Sequence, residues 1–97
     1  MFEVLFIQSA LDDLRFLRKN DQNAVLDAID QQLVSEPLAQ TRNRKPLRPN
    51  DLAAWEMRVG SHRVFYDVDE EGTKVTIKAV GLKEHNKLFI RGKEYQL

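Results

Sequence analysis

Hydrophobic residues follow a helical period in the first third of the chain and a strand period after residue 54. The segment Phe2-Glu3-Val4-Leu5-Phe6-Ile7 is apolar and rich in β-forming residues, which predicts a buried strand. A first helix is predicted over residues 10–19, with Leu11, Leu14 and Leu17 turned toward the core. The chain is therefore expected to begin with a strand followed by a helix.

A second helix is predicted from Asn20 or Asp21 onward. Val25, Ile29 and Leu33 recur every four residues and form one apolar face. The helix is expected to end at Pro37, because proline lacks a backbone donor and disfavours helical geometry at the residue before it. Residues 37–51 hold all three prolines, which predicts a connecting loop.

Three alternating segments follow the loop. Trp55–Val59 alternates apolar with polar positions, which predicts a strand with one buried face. Gly60-Ser61 has glycine where a type II′ turn requires a positive φ, so His62–Val68 is predicted to be the returning strand. Lys74–Val80 is a third strand, expected to bury Val75, Ile77 and Ala79, which the alternation places on one face.

The predicted order β-α-α-β-β-β indicates an α+β fold in a single domain spanning residues 1–97. Two N-terminal helices are expected to pack on one face of a small antiparallel sheet. The opposite face, called the outer face below, is expected to be open to solvent. The tail Lys83–Leu97 has a mixed pattern that fits either a helical turn or a short strand.

Length and composition narrow the function classes. A chain of 97 residues and 11.3 kDa holds one core, and it contains no cysteine, which excludes disulfides and thiolate metal sites. With two histidines and no cysteine, we expect no metal and no cofactor. No apolar run reaches the ~20 residues of a membrane span and no basic signal-peptide start is present, so we expect a cytoplasmic protein without a membrane partner.

Charge is balanced overall but unevenly distributed. The formal net charge is zero, yet residues 42–63 carry six basic side chains against the acids Asp51 and Glu56. The six are Arg42, Arg44, Lys45, Arg48, Arg58 and Arg63. Such a concentration can steer an anionic ligand toward one side of a small domain. Chance clustering on a solvated surface is the alternative.

The predicted hairpin register sets the chemistry of the outer face. If Gly60 and Ser61 are the turn, Arg58 lies directly opposite Arg63, with Glu56 and Phe65 on the same outward side. Opposed like charges destabilise a hairpin, so an anion is expected nearby. That anion is either Glu56 or a phosphate held by the two guanidinium forks.

Further ionisable groups follow the last long strand. Lys83, Lys87, Arg91 and Lys93 lie in a segment whose acids are Glu84 and Glu94. His85, with an ordinary pKa near ~6.5, is able to move a proton at neutral pH. An exposed histidine without a function is the alternative for this position.

Several motifs resemble the RelE/ParE toxin superfamily, and the resemblance covers almost the whole chain. They are Ser9-Ala10-Leu11-Asp12-Asp13-Leu14, Lys45-Pro46-Leu47, Trp55-Glu56-Met57-Arg58-Val59-Gly60 with Arg63-Val64-Phe65-Tyr66, and Val80-Gly81-Leu82-Lys83. The resemblance implies the toxin of a type II toxin–antitoxin pair, partnered by a cognate antitoxin. RelE-like members cleave mRNA in the ribosomal A site, and ParE-like members poison DNA gyrase. The Arg58/Arg63 pair favours the RelE-like branch, with the ribosome and mRNA as further partners.

The resemblance also implies roles for individual residues. Arg63 falls on the strand arginine that holds the scissile phosphate, and Lys83 falls on a basic residue with a similar role. Ala54 and Glu56 stand where well-known RelE-type enzymes have strand lysines. Phe89 stands where they have a late tyrosine, although Tyr95 is nearby in sequence.

The expected active site of a metal-independent endoribonuclease follows from these matches. Arg58, Arg63 and Lys83 would stabilise charge, and Glu56 or His85 would serve as base or acid. The expected RNA-binding residues are Arg42, Arg44, Lys45, Arg48 and Lys87. A gyrase-directed toxin and a catalytically decayed domain that only binds its antitoxin are the alternatives.

Overall fold

The structure is a computed structural model that describes residues 1–97, and its elements are two helices, a π-helical turn and seven strands. The strands are β1 (Glu3–Phe6), β2 (Arg44–Pro46), β3 (Trp55–Val59), β4 (His62–Asp69), β5 (Lys74–Glu84), β6 (Lys87–Ile90) and β7 (Lys93–Tyr95). The helices are α1 (Gln8–Phe16) and α2 (Lys19–Ala28), and α2 continues into a π-helical turn over Ile29–Leu33. The α+β class and the two helices packed on one sheet face are confirmed. No helix is long and apolar enough to cross a bilayer.

The helices cover one face of the sheet through the positions that the helical period predicts. Val25, Ile29 and Leu33 are buried, although the turn of helix that holds the last two is π rather than α. They join a core of eleven buried residues that also includes Ala10, Leu14, Met57, Val64, Tyr66, Val75, Ile77 and Val80. This helix-facing core is the larger of two.

The sheet is antiparallel except at one strand. Its strands lie in the order β2-β3-β4-β5-β6-β7, and β1 pairs in parallel with β5. β5 is long enough to pair along one edge with β4 and to share its other edge between β1 and β6. β1 takes Lys74–Ile77 of that edge, and β6 takes Leu82–Glu84.

The β3–β4 hairpin has the predicted register. Arg58 pairs with Arg63 and Glu56 with Phe65. Gly60 has a φ of +59°, whereas Ser61 has no positive φ, which is the pattern of a type II′ turn. The register prediction is therefore confirmed.

A β-bulge interrupts β5, and it corrects the expected placement of Ala79. Tyr66 pairs with Ile77 but Phe65 pairs with Ala79, so Lys78 is an extra residue on β5. Ala79 is buried as expected, yet it lies on the outer face, away from Val75 and Ile77. A simple alternation continued through Lys78 gives the wrong side for every later residue of β5.

The outer face is not open along its whole length, which corrects a second expectation. Ala53, Phe65, Ala79 and Leu88 form a second buried core there, packed by the partly buried Leu47, Leu52, Ile90 and Tyr95. The covering segments are the loop before β3 and the C-terminal β6–β7 hairpin.

Gly81 permits the close approach of β6 to β5. A Cβ on this residue would lie 2.8 Å from the Phe89 carbonyl oxygen and 2.8 Å from Leu88 Cδ1. Only glycine accommodates β6 folding back over the outer face at this point.

Candidate functional site

The centre of the site is a pair of arginines on neighbouring strands. Arg58 is exposed, whereas Arg63 retains 9% of its accessible surface. The Arg63 Nη1 atom donates hydrogen bonds to the carbonyls of Gly60 (3.0 Å) and His62 (2.9 Å), so the guanidinium is held against the hairpin turn. The Arg63 Nε atom is buried and has no acceptor in the protein. This arginine is thus fixed in position with donor capacity unused.

The electrostatic environment of Arg63 is that of a partly desolvated cation. Burial lowers the pKa of its guanidinium, the Glu56 carboxylate opposes that shift, and the Arg58 charge adds to it. An arginine remains charged at neutral pH despite such shifts. The positive charge of Arg63 is therefore less hydrated than that of an arginine on the protein surface.

The β-bulge brings Lys83 onto the same face. Arg63 pairs with Gly81, so residues 81 and 83 of β5 share the outer face with the arginine. The Lys83 amide donates to the Ser61 carbonyl at 2.8 Å, which fixes this strand beside the hairpin turn. Its side chain is exposed. Of the three cations expected to stabilise charge, Arg58 and Lys83 thus lie on the two strands that flank Arg63.

Tyr95, which is not among the expected site residues, lies on the outer face. Tyr95 pairs with Leu88, and Leu88 belongs to the outer-face core, so the phenol lies on that face. Tyr95, Lys83 and Lys87 line one pocket of about 280 Å³. Phe89, which matches the family's late tyrosine, pairs with Leu82 and faces the helical side. The position of Tyr95 depends on the short C-terminal hairpin. The mixed pattern of the tail does not reveal that hairpin, so the sequence does not predict this position.

The two expected proton-transfer groups lie in different surroundings. Glu56 shares the outer face with Arg58, but it is 7% exposed and its Oε2 lies 4.0 Å from Lys45 Nζ. His85 is exposed in the β5–β6 turn, with a φ of +51°. It lies four residues beyond Gly81, about 13 Å along the strand direction at the usual rise. The structure groups Glu56, and not His85, with the arginine pair.

The expected RNA-binding residues divide into exposed cations and one buried cation. Arg42, Lys45, Arg48 and Lys87 are exposed. Arg44 is 8% exposed and pairs with Met57, which places it on the helical side. Its Nη1 donates to the Gln32 carbonyl at 3.2 Å and to the Glu36 carbonyl, closing the end of the helical segment before Pro37. The expectation that Arg44 joins an exposed basic surface is corrected by this burial.

No group of three or more histidine, aspartate or glutamate side chains is arranged to hold a metal ion. The outer face brings together three cations, one buried carboxylate and one phenol.

Comparisons with known proteins agree on a toxin fold. Residues 4–86 match the family model described as the ParE toxin of the type II toxin–antitoxin system parDE. The crystal structure of the toxin–antitoxin complex RelBE2 from Mycobacterium tuberculosis contains a chain with 33% identity and a TM-score of 0.74, over 84% of this chain and 91% of that one. No curated protein matched the sequence.

Two more distant structures share the fold. The isolated Escherichia coli RelE toxin has 20% identity and a TM-score of 0.71, covering 88% of this chain and 87% of that one. The RelE–RelB complex from Pyrococcus horikoshii has 21% identity and a TM-score of 0.67, covering 81% of this chain and 91% of that one. With the helices on one face, the arginine pair on the other and a family match over most of its length, this chain belongs to the ParE toxin family of type II toxin–antitoxin systems, within the RelE/ParE superfamily.

Proposed function

We propose that the protein is a toxin that cleaves mRNA on the ribosome and so inhibits translation. One observation carries the proposal: Arg63 is nine-tenths buried beside Arg58, and its buried Nε has no acceptor in the protein. Natural proteins satisfy nearly all buried donors. Arg44 Nε is also without an acceptor, but it lies on the helical side, whereas the unused donor of Arg63 lies on the outer face beside the exposed Arg58, and this combination favours an anionic ligand. Two adjacent guanidinium groups match the oxygens of a phosphodiester.

The reaction requires no metal. The ribose 2′ oxygen attacks the adjacent phosphorus while a base removes its proton, and the bond from phosphorus to the 5′ oxygen breaks as an acid protonates that oxygen. The products are a 2′,3′-cyclic phosphate and a free 5′ hydroxyl. Arg58, Arg63 and Lys83 stabilise the additional negative charge on the phosphorane oxygens.

Proton transfer is assigned more strongly to Glu56 than to His85. Glu56 lies two residues from Arg58 on the same face, about 7 Å along the strand, whereas His85 lies beyond the end of the hairpin. The Tyr95 hydroxyl supplies a further donor beside Lys83. The single variants Glu56→Gln and His85→Gln test this assignment, since removing the true participant should lower single-turnover cleavage by about 10²–10⁴-fold. Parental cleavage by the double variant would exclude both residues.

We propose an antitoxin as the physiological partner. The RelBE2 structure and the Pyrococcus structure are both toxin–antitoxin complexes. The exposed cations Arg42, Lys45 and Arg58 favour an acidic or amphipathic antitoxin segment laid across the outer face. A complex that leaves Arg58 and Arg63 accessible would contradict this direct occlusion.

A second candidate is a gyrase-directed toxin that acts by binding. The matching family model is that of ParE, and Glu56, the closest proton-transfer group, is already paired with Lys45. A binder needs no general acid or base, so these two observations favour it over a nuclease.

Induced expression separates the candidates. Primer extension on cellular mRNA and a gyrase supercoiling assay are run in parallel on the parent protein, Arg63→Ala and the control Arg15→Ala. Arg15 is an exposed cation on α1, on the opposite side of the molecule. Cleavage that is lost in Arg63→Ala and retained in Arg15→Ala supports the nuclease, and inhibited supercoiling without cleavage supports the gyrase toxin. If neither cleavage nor inhibited supercoiling is observed, the protein is a domain that only binds its antitoxin.

A further inference from the structure

Asp13 is a buried carboxylate in an otherwise apolar contact between α1 and the sheet. It is 3% exposed, next to the core residue Leu14. Its Oδ2 accepts a hydrogen bond from the Val80 amide at 3.1 Å, and its Oδ1 lies 2.9 Å from Arg91 Nε. Burying a carboxylate costs free energy that an apolar residue at the same position would not cost. The carboxylate offsets part of this cost through its two partners, and the positions of those partners indicate what it does.

The Val80 amide is located at a gap in the sheet. β1 occupies the edge of β5 as far as Ile77, and β6 begins to pair only at Leu82. The Val80 amide points into the interval between these strands and lies two residues after the bulge at Lys78. Asp13 supplies the acceptor that a neighbouring strand supplies elsewhere.

The bulge decides which face carries the later residues of β5. With Lys78 as the extra residue, Gly81 and Lys83 share the outer face with Arg63. If Lys78 were instead paired with Phe65 in a regular ladder, strand alternation would turn Lys83 toward the helices. We propose that Asp13 is a positioning residue, which fixes the bulge through Val80 and thereby holds Lys83 beside Arg63.

The same carboxylate also anchors the strand that carries Tyr95. Arg91 lies in the β6–β7 turn with a φ of +49°, and its contact with Asp13 ties that turn to α1. Desolvation raises the pKa of the Asp13 carboxyl despite the opposing effects of Val80 and Arg91, which is consistent with a net cost of placing the charge here. The catalytic part of this inference rests on the proposed nuclease function, whereas the register part does not.

Strand register is measured directly by NMR on the labelled full-length chain. Because Lys83 donates to Ser61, Val64 and Val80 form a non-hydrogen-bonded pair, whose α protons are close enough for a strong cross-peak. We expect that cross-peak in the parent and in Asp13→Asn, which keeps the acceptor. In Asp13→Ala we expect it to be lost or replaced by one between Val64 and Ala79. Retention of the Val64–Val80 cross-peak in Asp13→Ala would overturn the proposal.

Deletion of Lys78 supplies the rescue experiment. It removes the extra residue and leaves Ala79, Gly81 and Lys83 on the outer face without a bulge, so Asp13 should become dispensable for the register. If Asp13→Ala does not fold by itself, the variant that combines Asp13→Ala with deletion of Lys78 tests the proposal. Recovery of a folded chain with the Val64–Val80 cross-peak supports the proposal, and failure to recover contradicts it.

Activity is compared with that of a variant matched for lost stability. Val25→Ala opens the helix-facing core on α2, away from the bulge. Per folded molecule, we expect Asp13→Ala to reduce cleavage on programmed ribosomes by about 100-fold, as a misplaced catalytic group does, and Val25→Ala to retain it. Equal reductions would assign Asp13 to stability alone. If the parent protein cleaves no mRNA, the proposed function fails, and the NMR arm still decides the role of Asp13 in the register.

Discussion

The two faces of the sheet bury side chains for different purposes. The helix-facing core contains eleven buried hydrophobic residues and the outer-face core contains four. Each side also buries two charged side chains, Asp13 and Arg44 on the helical side and Glu56 and Arg63 on the outer face. The two on the helical side bind groups of the protein, whereas Arg63 lies beside the exposed cation Arg58. Buried apolar area stabilises the fold, but a buried charge costs free energy unless it is paired. The comparison assigns most of the stability to one face and the chemistry to the other.

Strand β4 separates these contributions within a single segment. Val64 and Tyr66 point toward the helices, while Arg63 and Phe65 point outward. Substitutions at neighbouring positions of one strand should therefore affect different properties.

Replacing Arg63 tests the chemical face. In Arg63→Ala the fixed guanidinium is lost, and we expect cleavage to fall by about 10²–10³-fold, comparable with the loss of a preorganised group that stabilises transition-state charge. The variant should keep a cooperative melting transition, because the helix-facing core is untouched. The measurement is single-turnover cleavage on programmed ribosomes, with Arg15→Ala as the control. A folded Arg63→Ala protein with parental activity would remove the arginine from the site.

Replacing Leu33 tests the structural face. Leu33 is fully buried at the end of the helical segment, so Leu33→Ala should lower the free energy of unfolding by about 2–5 kcal/mol. Activity per folded molecule should remain within a factor of a few, because no outer-face residue is changed. Urea denaturation and cleavage are measured on the same preparation. A specific loss of activity at full folding would show that the two faces are coupled.

Much of this separation was predictable from local pattern. The helical period identified Val25, Ile29 and Leu33, and the Gly60-Ser61 turn fixed the opposition of Arg58 and Arg63. Both features depend on residues close together in sequence, where periodicity and turn chemistry determine the geometry.

The remaining features depend on tertiary contacts. The bulge at Lys78 is held by Asp13, a residue 67 positions from Val80 in the chain, and no strand pattern reveals it. The C-terminal hairpins turn through His85-Asn86 and Arg91-Gly92, where three residues other than glycine have positive φ. Neither pair is the Asn-Gly or Asp-Gly that marks a tight hairpin turn, so these two turns are not predictable from their residues. Burial of Arg44 depends on its contacts with the Gln32 and Glu36 carbonyls, and closure of the outer face depends on the packing of the loop before β3 and the C-terminal hairpin.

Replacing Gly81 tests how β6 closes the outer face. A Cβ in Gly81→Ala would meet the Phe89 carbonyl oxygen at 2.8 Å, and this backbone atom is less able to move than the nearby Leu88 side chain. We expect a loss of about 1–3 kcal/mol in unfolding free energy, together with reduced amide protection in β6. Thermal melts and hydrogen exchange measure these effects. Unchanged protection of β6 would show that the hairpin does not need the close approach.

Tyr66 offers the smallest and most specific test of the helix-facing side. Its hydroxyl donates to the Pro37 carbonyl at 2.8 Å, and burial raises its pKa from 10.0 to about 12, with the Arg44 charge opposing the shift. Tyr66→Phe should cost about 1 kcal/mol at neutral pH, because one buried hydrogen bond is lost. Between pH 10 and 12 the unfolded phenol ionises while the folded phenol keeps its proton, so this contribution to stability is present below pH 10 and declines as pH rises through that interval. The difference in unfolding free energy between parent and Tyr66→Phe should therefore shrink above pH 10, and a difference that stays constant to pH 12 would place the phenol in contact with solvent.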